Sequence, residues 1–553
     1  MGVKINQLII DERGCCIKVI LFLLLMFLLS ASINGFSQNW KNGAWNADNG
    51  DGTFTNPILH SDYSDPDICK VDDDFYMTAS SFNCIPGLPI LHSTDLVNWK
   101  LIAYALKKQP PFDVFDMPQH GNGVWAPSIR YHNNEFYIYW GDPDYGIYVI
   151  KAKNADGPWS EPYLVHAAKG WIDPCPLWDD DGKAYLVHAF AGSRAGIKSI
   201  LVVNEMSNDG MSLNETCTLV FDGHENHNTV EGPKFYKRNG YYYIMAPAGG
   251  VKPGWQLVLR SKNVYGPYEE KIVLHQGNTH INGPHQGGYV ELESGESWFI
   301  HFQDKDAYGR IEHLQPVFWK NDWPEMGIDS NNDGIGEPVE TYKKPKVKKE
   351  SAPQFIPTTD EFNGAGLGLQ WQWHANSKPE WAFNSTYGYL RMNCELVPEN
   401  YKSLWEVPNL LLQKFPAEEF STVAKLKFNP KQEGDKVGLI MMGEDYANIA
   451  CNFSEGKNWI TYATCTDART VGKEVEQMKV EVHSTEMYLK VEVKSGAVCQ
   501  FFYSEDGETF HPIGLPFTAR AGRWIGAKVG LFALKTTQTN DSGYADFDWF
   551  RFE

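Results

Sequence analysis

Apolar and polar residues alternate along most of this chain in short runs broken by Gly, Pro, Asn and Asp, a pattern that predicts β-strands and no long amphipathic helix. Within the first 325 residues one unit of this pattern recurs, a strand, a polar turn and an aromatic-rich second strand, which is the signal of a β-hairpin. The copies are Asp65-Pro-Asp-Ile-Cys-Lys-Val-Asp-Asp-Asp-Phe-Tyr76, Ala126-Pro-Ser-Ile-Arg-Tyr-His-Asn-Asn-Glu-Phe-Tyr137, Asp173-Pro-Cys-Pro-Leu-Trp-Asp-Asp-Asp-Gly-Lys-Ala-Tyr185 and Glu231-Gly-Pro-Lys-Phe-Tyr-Lys-Arg-Asn-Gly-Tyr-Tyr242, with a looser fifth running from Gly287 to Trp298-Phe299. Five copies at roughly fifty-residue spacing predict radial repetition, a five-bladed β-propeller. From Thr359 onward strand-like runs continue without that unit, among them Thr422-Val-Ala-Lys-Leu-Lys-Phe428, Met487-Tyr-Leu-Lys-Val-Glu-Val493 and Phe547-Asp-Trp-Phe-Arg-Phe552, and predict a β-sandwich of the concanavalin-like jelly-roll kind. The expected fold class is all-β: a propeller over 50–337, a linker over 338–357 containing Lys343-Lys-Pro-Lys-Val-Lys-Lys349, and a sandwich over 358–553.

The N-terminus breaks the pattern. Val19 to Leu29 is an almost unbroken apolar run, preceded by Lys4, Arg13 and Lys18 and followed by small residues up to Ser37. It reads as a secretory signal peptide over 1–37, too short for a membrane span, so the mature protein is expected to be secreted or periplasmic, with no membrane association after cleavage. The formal net charge of −20 excludes a nucleic-acid binder, which needs clustered Lys and Arg, and suits a neutral substrate. Aromatics make up 14% of the chain; most are strand or core filler, and some are available to stack on sugar faces. Cys69, Cys84, Cys175, Cys217, Cys394, Cys451, Cys465 and Cys499 follow the apolar run without a Cys-x-x-Cys pair, and mostly buried free thiols are expected.

Three of the copies open on an acid: Asp65, Asp173 and Glu231, each followed by proline directly or after one glycine. A single Asp-Pro is usually a turn. Three acids at one repeat position of a propeller converge on one end of its axis, and glycoside hydrolysis uses such a set: a proton donor, a carboxylate that activates water, and a third acid that raises the donor's pKa.

The chain resembles glycoside hydrolase family 43, in particular the β-xylosidase/α-L-arabinofuranosidase type with a C-terminal β-sandwich. The resemblance lies in Asn56-Pro-Ile-Leu-His-Ser-Asp-Tyr-Ser-Asp-Pro-Asp-Ile68, His92-Ser-Thr-Asp-Leu-Val-Asn-Trp99, Val124-Trp-Ala-Pro-Ser-Ile129, Trp171-Ile-Asp-Pro174, Val230-Glu-Gly-Pro233 and Gly309-Arg-Ile-Glu-His-Leu-Gln-Pro316. It implies an inverting general base at Asp65, a pKa-modulating acid at Asp173 and a general acid at Glu231, with no cofactor needed for the chemistry. It also implies substrate contacts at Arg310, Phe82, Trp125 and His285, a histidine that in some members touches a metal ion. For Arg310 a strand-edge ion pair, for Trp125 blade filling and for His285 a hydrogen-bonded core position are the plainer alternatives. Where the family often has aspartate after Trp-Ala-Pro, this chain has Ser128.

Independently, Asp329-Ser-Asn-Asn-Asp-Gly-Ile-Gly-Glu-Pro-Val-Glu340 has the oxygen spacing of a calcium loop, with Asp329, Asn331, Asp333 and Glu340 as ligands of a structural calcium; the lack of helical flanks and the presence of Pro338 favour a polar turn over that reading. The expected activity is release of a terminal pentose, β-D-xylose or α-L-arabinofuranose, from plant cell-wall oligo- or polysaccharide. A non-catalytic carbohydrate-binding propeller or lectin is the alternative, and would not require three acids.

Overall fold

The computed structural model describes residues 43–349, 352–399, 401–470 and 472–553, so the expected signal peptide lies outside the described residues. Five four-stranded antiparallel sheets follow one another: blade 1 from Asp67 to Leu106, blade 2 from Trp125 to Ala167, blade 3 from Trp171 to Asp222, blade 4 from Lys234 to His275 and blade 5 from His285 to Met326. Each is a meander whose first strand is innermost, as the repeat predicts.

Period-2 alternation explains the packing. In the second strand of blade 2, Glu135–Asp142, Phe136, Ile138 and Trp140 join a core shared with Cys69, Leu88 and Ile90 of blade 1, while Tyr137 and Tyr139 pack with Ala184 and Leu186 of blade 3. In blade 4, Ile244 and Ala246 face blade 3 while Tyr243 and Met245 face blade 5. The last interface joins blade 5 to blade 1, through Val290, Trp298, Ile300 and Leu314 against Ile68, Phe75, Met77 and Leu91. At about 1.5–3 kcal/mol for each large apolar side chain removed from water, these five cores dominate the stability of the ring.

The ring is also latched by its ends. Asn56 exchanges side-chain hydrogen bonds with the backbone of Leu314 at 2.8 and 2.9 Å, Ile58 N–H donates to Glu312 O at 2.8 Å, and Thr53–Thr55 pairs with Thr341–Lys343. Beyond that ribbon Lys344 pairs with Asp48 and Asp95, and Lys348 with Glu293 and Asp73, so the basic stretch lies against acidic groups of the blades.

The C-terminal half is a sandwich of a seven-stranded and an eight-stranded sheet. Lys528–Lys535 lies inside the larger sheet and Tyr544–Phe552 inside the smaller. Trp373 bridges Ile85 of blade 1, and Tyr308 of blade 5 donates its hydroxyl to Glu418 O at 2.9 Å, so the sandwich packs directly on the propeller. The eight cysteines among the described residues are free thiols, and all but Cys217 are buried. Among the described residues no helix is long and apolar enough to cross a membrane.

Candidate active site

One backbone feature recurs where each inner strand meets the axis. A residue per blade has left-handed φ: Asp65 at 55°, Ala126 at 33°, Asp173 at 58°, Gly232 at 58° and Gln286 at 41°. In blades 2, 3 and 5 the pairing with the second strand slips there, between Trp125 and Ser128, Ile172 and Cys175, and His285 and Gly287. A bulge of this kind re-aims side chains that a regular strand would send to opposite faces. Two rings of residues result, the left-handed ones and those just before them: Ser64, Trp125, Ile172, Glu231 and His285. A pocket of about 540 Å³, counted to its open mouth, is lined by four residues of each ring together with Phe82, Val251, Arg310 and Trp524. Asp65, Asp173, Glu231, Arg310, Phe82, Trp125 and His285 therefore meet in one place.

The repeat alignment read from the sequence needs a correction. Glu231 does not share the position of Asp65 and Asp173; Gly232 does, and Glu231 stands one residue earlier, in register with His285. The fifth copy likewise begins at Gln286, not Gly287. Aligning the copies on their acids misplaces Glu231, because the glycine of Glu-Gly-Pro is itself the left-handed residue, and the proline that follows it marks the true register.

The three acids have unlike surroundings. Asp65 is buried and accepts from Ser64 Oγ at 2.8 Å, Ser80 Oγ at 2.6 Å and Arg310 Nη1 at 3.1 Å. Arg310 Nη1 also donates to Ser64 Oγ at 2.7 Å, and its guanidinium lies 4.8 Å from the Phe302 ring. Asp173 is buried too, and its one hydrogen bond among the described residues is from Gly232 N–H at 2.8 Å. Burial first, and then the neighbouring Glu231 carboxylate, push the Asp173 pKa well above the usual range. Glu231 keeps 31% of its side chain exposed and meets buried His285 Nε2 at 3.0 Å. Donors gathered on one carboxylate, a second acid desolvated and a third open to the pocket form an acid–base set of the kind glycoside hydrolysis requires.

Sequence reasoning missed Trp524. It comes from the sandwich, meets Trp125 edge-on with ring centroids 6.4 Å apart, and has the Arg310 guanidinium 5.9 Å from its ring. Asp62 ties the two domains here: one oxygen accepts Arg310 N–H and the other Gly526 N–H, both at 2.9 Å. No repeat or motif marks position 524.

The 329–340 segment lies away from this pocket. Asp329 turns its oxygens onto the N–H groups of Asp333 and Gly334, Asn331 donates to Asp333, and Glu340 is exposed, while Glu337 is the acid that bonds Ser330. Among the described residues no group of three or more His, Cys, Asp or Glu is arranged to hold a metal ion, and His285 has only Glu231 beside it as a hydrogen-bond partner.

Fold and site define a carboxylate-dependent glycoside hydrolase built on a five-bladed propeller. Residues 54–324 match the model of glycosyl hydrolases family 43, and residues 359–553 that of the beta xylosidase C-terminal concanavalin A-like domain. A protein of Xylanibacter ruminicola is 38% identical over 491 residues, 87% of this chain and 86% of its own length. A beta-xylosidase of Formosa agariphila is 33% identical, covering 93% and 92%, and a non-reducing end alpha-L-arabinofuranosidase of Bacteroides ovatus 28%, covering 90% and 94%. The solved Bacteroides ovatus xyloglucan-locus GH43B structure superposes with a TM-score of 0.78 at 27% identity, over 91% of this chain and 99% of that one. This chain belongs to glycoside hydrolase family 43 and is a glycoside hydrolase.

Proposed function

We propose that this chain is a secreted or periplasmic exo-glycosidase that hydrolyses with inversion. It releases a terminal pentose, β-D-xylose or α-L-arabinofuranose, from hemicellulose-derived saccharides. The observation that carries the reading is the convergence of Asp65, Asp173 and Glu231 on one pocket in three different environments. Asp65, whose oxygens accept from Arg310 and two serine hydroxyls, takes the proton of the attacking water. Glu231, the acid most open to the pocket, gives its proton to the leaving oxygen, and His285 orients it. Asp173 holds that proton on Glu231 by like-charge repulsion. Phe82, Trp125 and Trp524 give the sugar ring aromatic faces. No step needs a cofactor.

The relatives named above carry both xylosidase and arabinofuranosidase activities in their names, so the pentose is decided by assay. Aryl β-D-xyloside and aryl α-L-arabinofuranoside are offered in parallel, with the early product followed by NMR. A β-xyloside should first give α-xylose, or an α-arabinofuranoside β-arabinose. Retained configuration would overturn the mechanism, and binding of both glycosides without turnover would favour a lectin. Export is checked separately: the full-length chain expressed in a Gram-negative host should appear in the periplasm or medium with a new N-terminus near residue 37.

A further inference from the structure

Lys234 is three residues beyond Glu231, at the start of the inner strand of blade 4, and none of its surface reaches solvent. Its Nζ donates to Pro127 O and to Ser128 Oγ, both at 2.9 Å, on the inner strand of blade 2. Both acceptors are neutral, and among the described residues no carboxylate comes within ion-pairing distance of the amine. A buried cation without a counter-ion is expensive and is ordinarily replaced by an apolar side chain. The neighbouring cations are already committed: Arg130 to Asp67 at 2.6 Å, and Arg310 to Asp65 at 3.1 Å.

The charges around the pocket show what the amine is for. With its proton on Glu231, the proposed hydrolase carries two ionised acids, Asp65 and Asp173. Arg310 answers Asp65. Among the described residues Asp173 has one N–H donor, that of Gly232, and no ion pair, and Lys234, two residues beyond Gly232 and fully buried, is a cation with no carboxylate of its own. We propose that Lys234 is the counter-charge of Asp173, a positioning residue that keeps this carboxylate ionised and so leaves the shared proton on Glu231. In keeping with this, Lys234 pulls the Asp173 pKa down against burial and the two acids. The same amine ties the Glu231 strand to Ala126–Ser128, and Ala126 N–H donates to Ser80 Oγ, which in turn donates to Asp65. Blade 2, which has alanine where its neighbours have acids, thereby connects the two ends of the site.

The inference rests on the hydrolase reading of Asp173. The test compares pH profiles of kcat/KM for wild type, Lys234→Met, Ser128→Asp and Asp173→Asn, with Tm recorded for each. Removing a positive charge raises the pH at which Asp173 ionises, so Lys234→Met should move the acidic limb up by about one pH unit and lower kcat/KM at its foot about tenfold. Its Tm should hold or rise, because a buried unpaired charge is gone. Ser128→Asp keeps the lysine but gives it a carboxylate partner, and should move the same limb in the same direction. It decides the matter alone if Lys234→Met does not fold. Unmoved or downward-shifted limbs, or activity lost only in proportion to Tm, would overturn the proposal. If Asp173→Asn shifts the profile while the other two do not, the counter-charge role alone fails; if Asp173→Asn also leaves it unchanged, the reading of Asp173 fails with it.

Discussion

Glu231 stands one residue ahead of the left-handed position that Asp173 holds in the neighbouring blade, and that offset separates the two acids chemically. Asp173, turned inward by its bulge, is buried with a single backbone donor. That donor is the N–H of Gly232, which occupies the equivalent position in blade 4 and immediately follows Glu231. Glu231 is thus lifted toward the pocket mouth by the same glycine that anchors its neighbour.

The separation predicts different leaving-group behaviour. Glu231→Gln should lose about 10²–10⁴-fold in kcat on xylosides with poorly departing alcohols, which need protonation. On dinitrophenyl glycosides, which leave unaided, the loss should shrink to within about tenfold. Asp65→Asn should be crippled on both, because water must always be activated. Parallel losses for the two variants across a leaving-group series would contradict the roles.

Asp173 should make the protein less stable where it makes it active. Its folded-state pKa lies above its unfolded value, so the folded protein binds the extra proton and stability falls as pH rises through that window, from about 4 upward. Asp173→Asn cannot ionise and escapes the loss. Its Tm should exceed that of wild type at pH 7 and converge with it below about pH 4, while its activity is impaired. A variant less stable than wild type at pH 7 would show that the burial cost is met by contacts the carboxylate alone makes.

Much of this was legible in the sequence, and the failures are instructive. The blades could be read because each repeats a hairpin whose alternating faces must pack on two different neighbours, as Phe136 and Tyr137 do. Convergence of Asp65 and Asp173 followed from their equal places in that repeat. Glu231 was recognised but misregistered, because left-handed φ can be supplied by Asp, Ala, Gly or Gln when the surroundings enforce it, and the sequence announces only the glycine. Trp524 was invisible, since it reaches the pocket through the docking of a second domain some 400 residues from Trp125.

The left-handed ring makes a stability prediction that reverses the usual strand preference. At φ 33° the Cβ of Ala126 costs roughly 1 kcal/mol, and a β-branched side chain costs more. Ala126→Gly should therefore be neutral or gain up to about 1 kcal/mol, although glycine ordinarily weakens a strand. Ala126→Val, which an ordinary strand would welcome, should lose about 2 kcal/mol or more. Urea unfolding of the two variants measures both, and a more stable valine variant would refute the conformational argument.

The sandwich should matter for binding more than for chemistry. Trp524 is 40% exposed and completes the pocket wall beside Trp125. Trp524→Ala should raise KM roughly tenfold, about 1.4 kcal/mol, with kcat changed only a few-fold, as expected for a group that contacts substrate and transition state alike. Asp62→Ala should act in the same direction from beneath, since it frees Gly526 two residues along and also releases the Arg310 backbone. Because Arg310 in turn holds Asp65, the Asp62 variant should lose kcat as well, and the comparison separates the two effects. If Trp524→Ala left KM at its wild-type value, the sandwich would be a passive neighbour of the site. If it lowered kcat as steeply as Asp65→Asn, the ring of Trp524 would be acting on the reacting atoms and not on the sugar face.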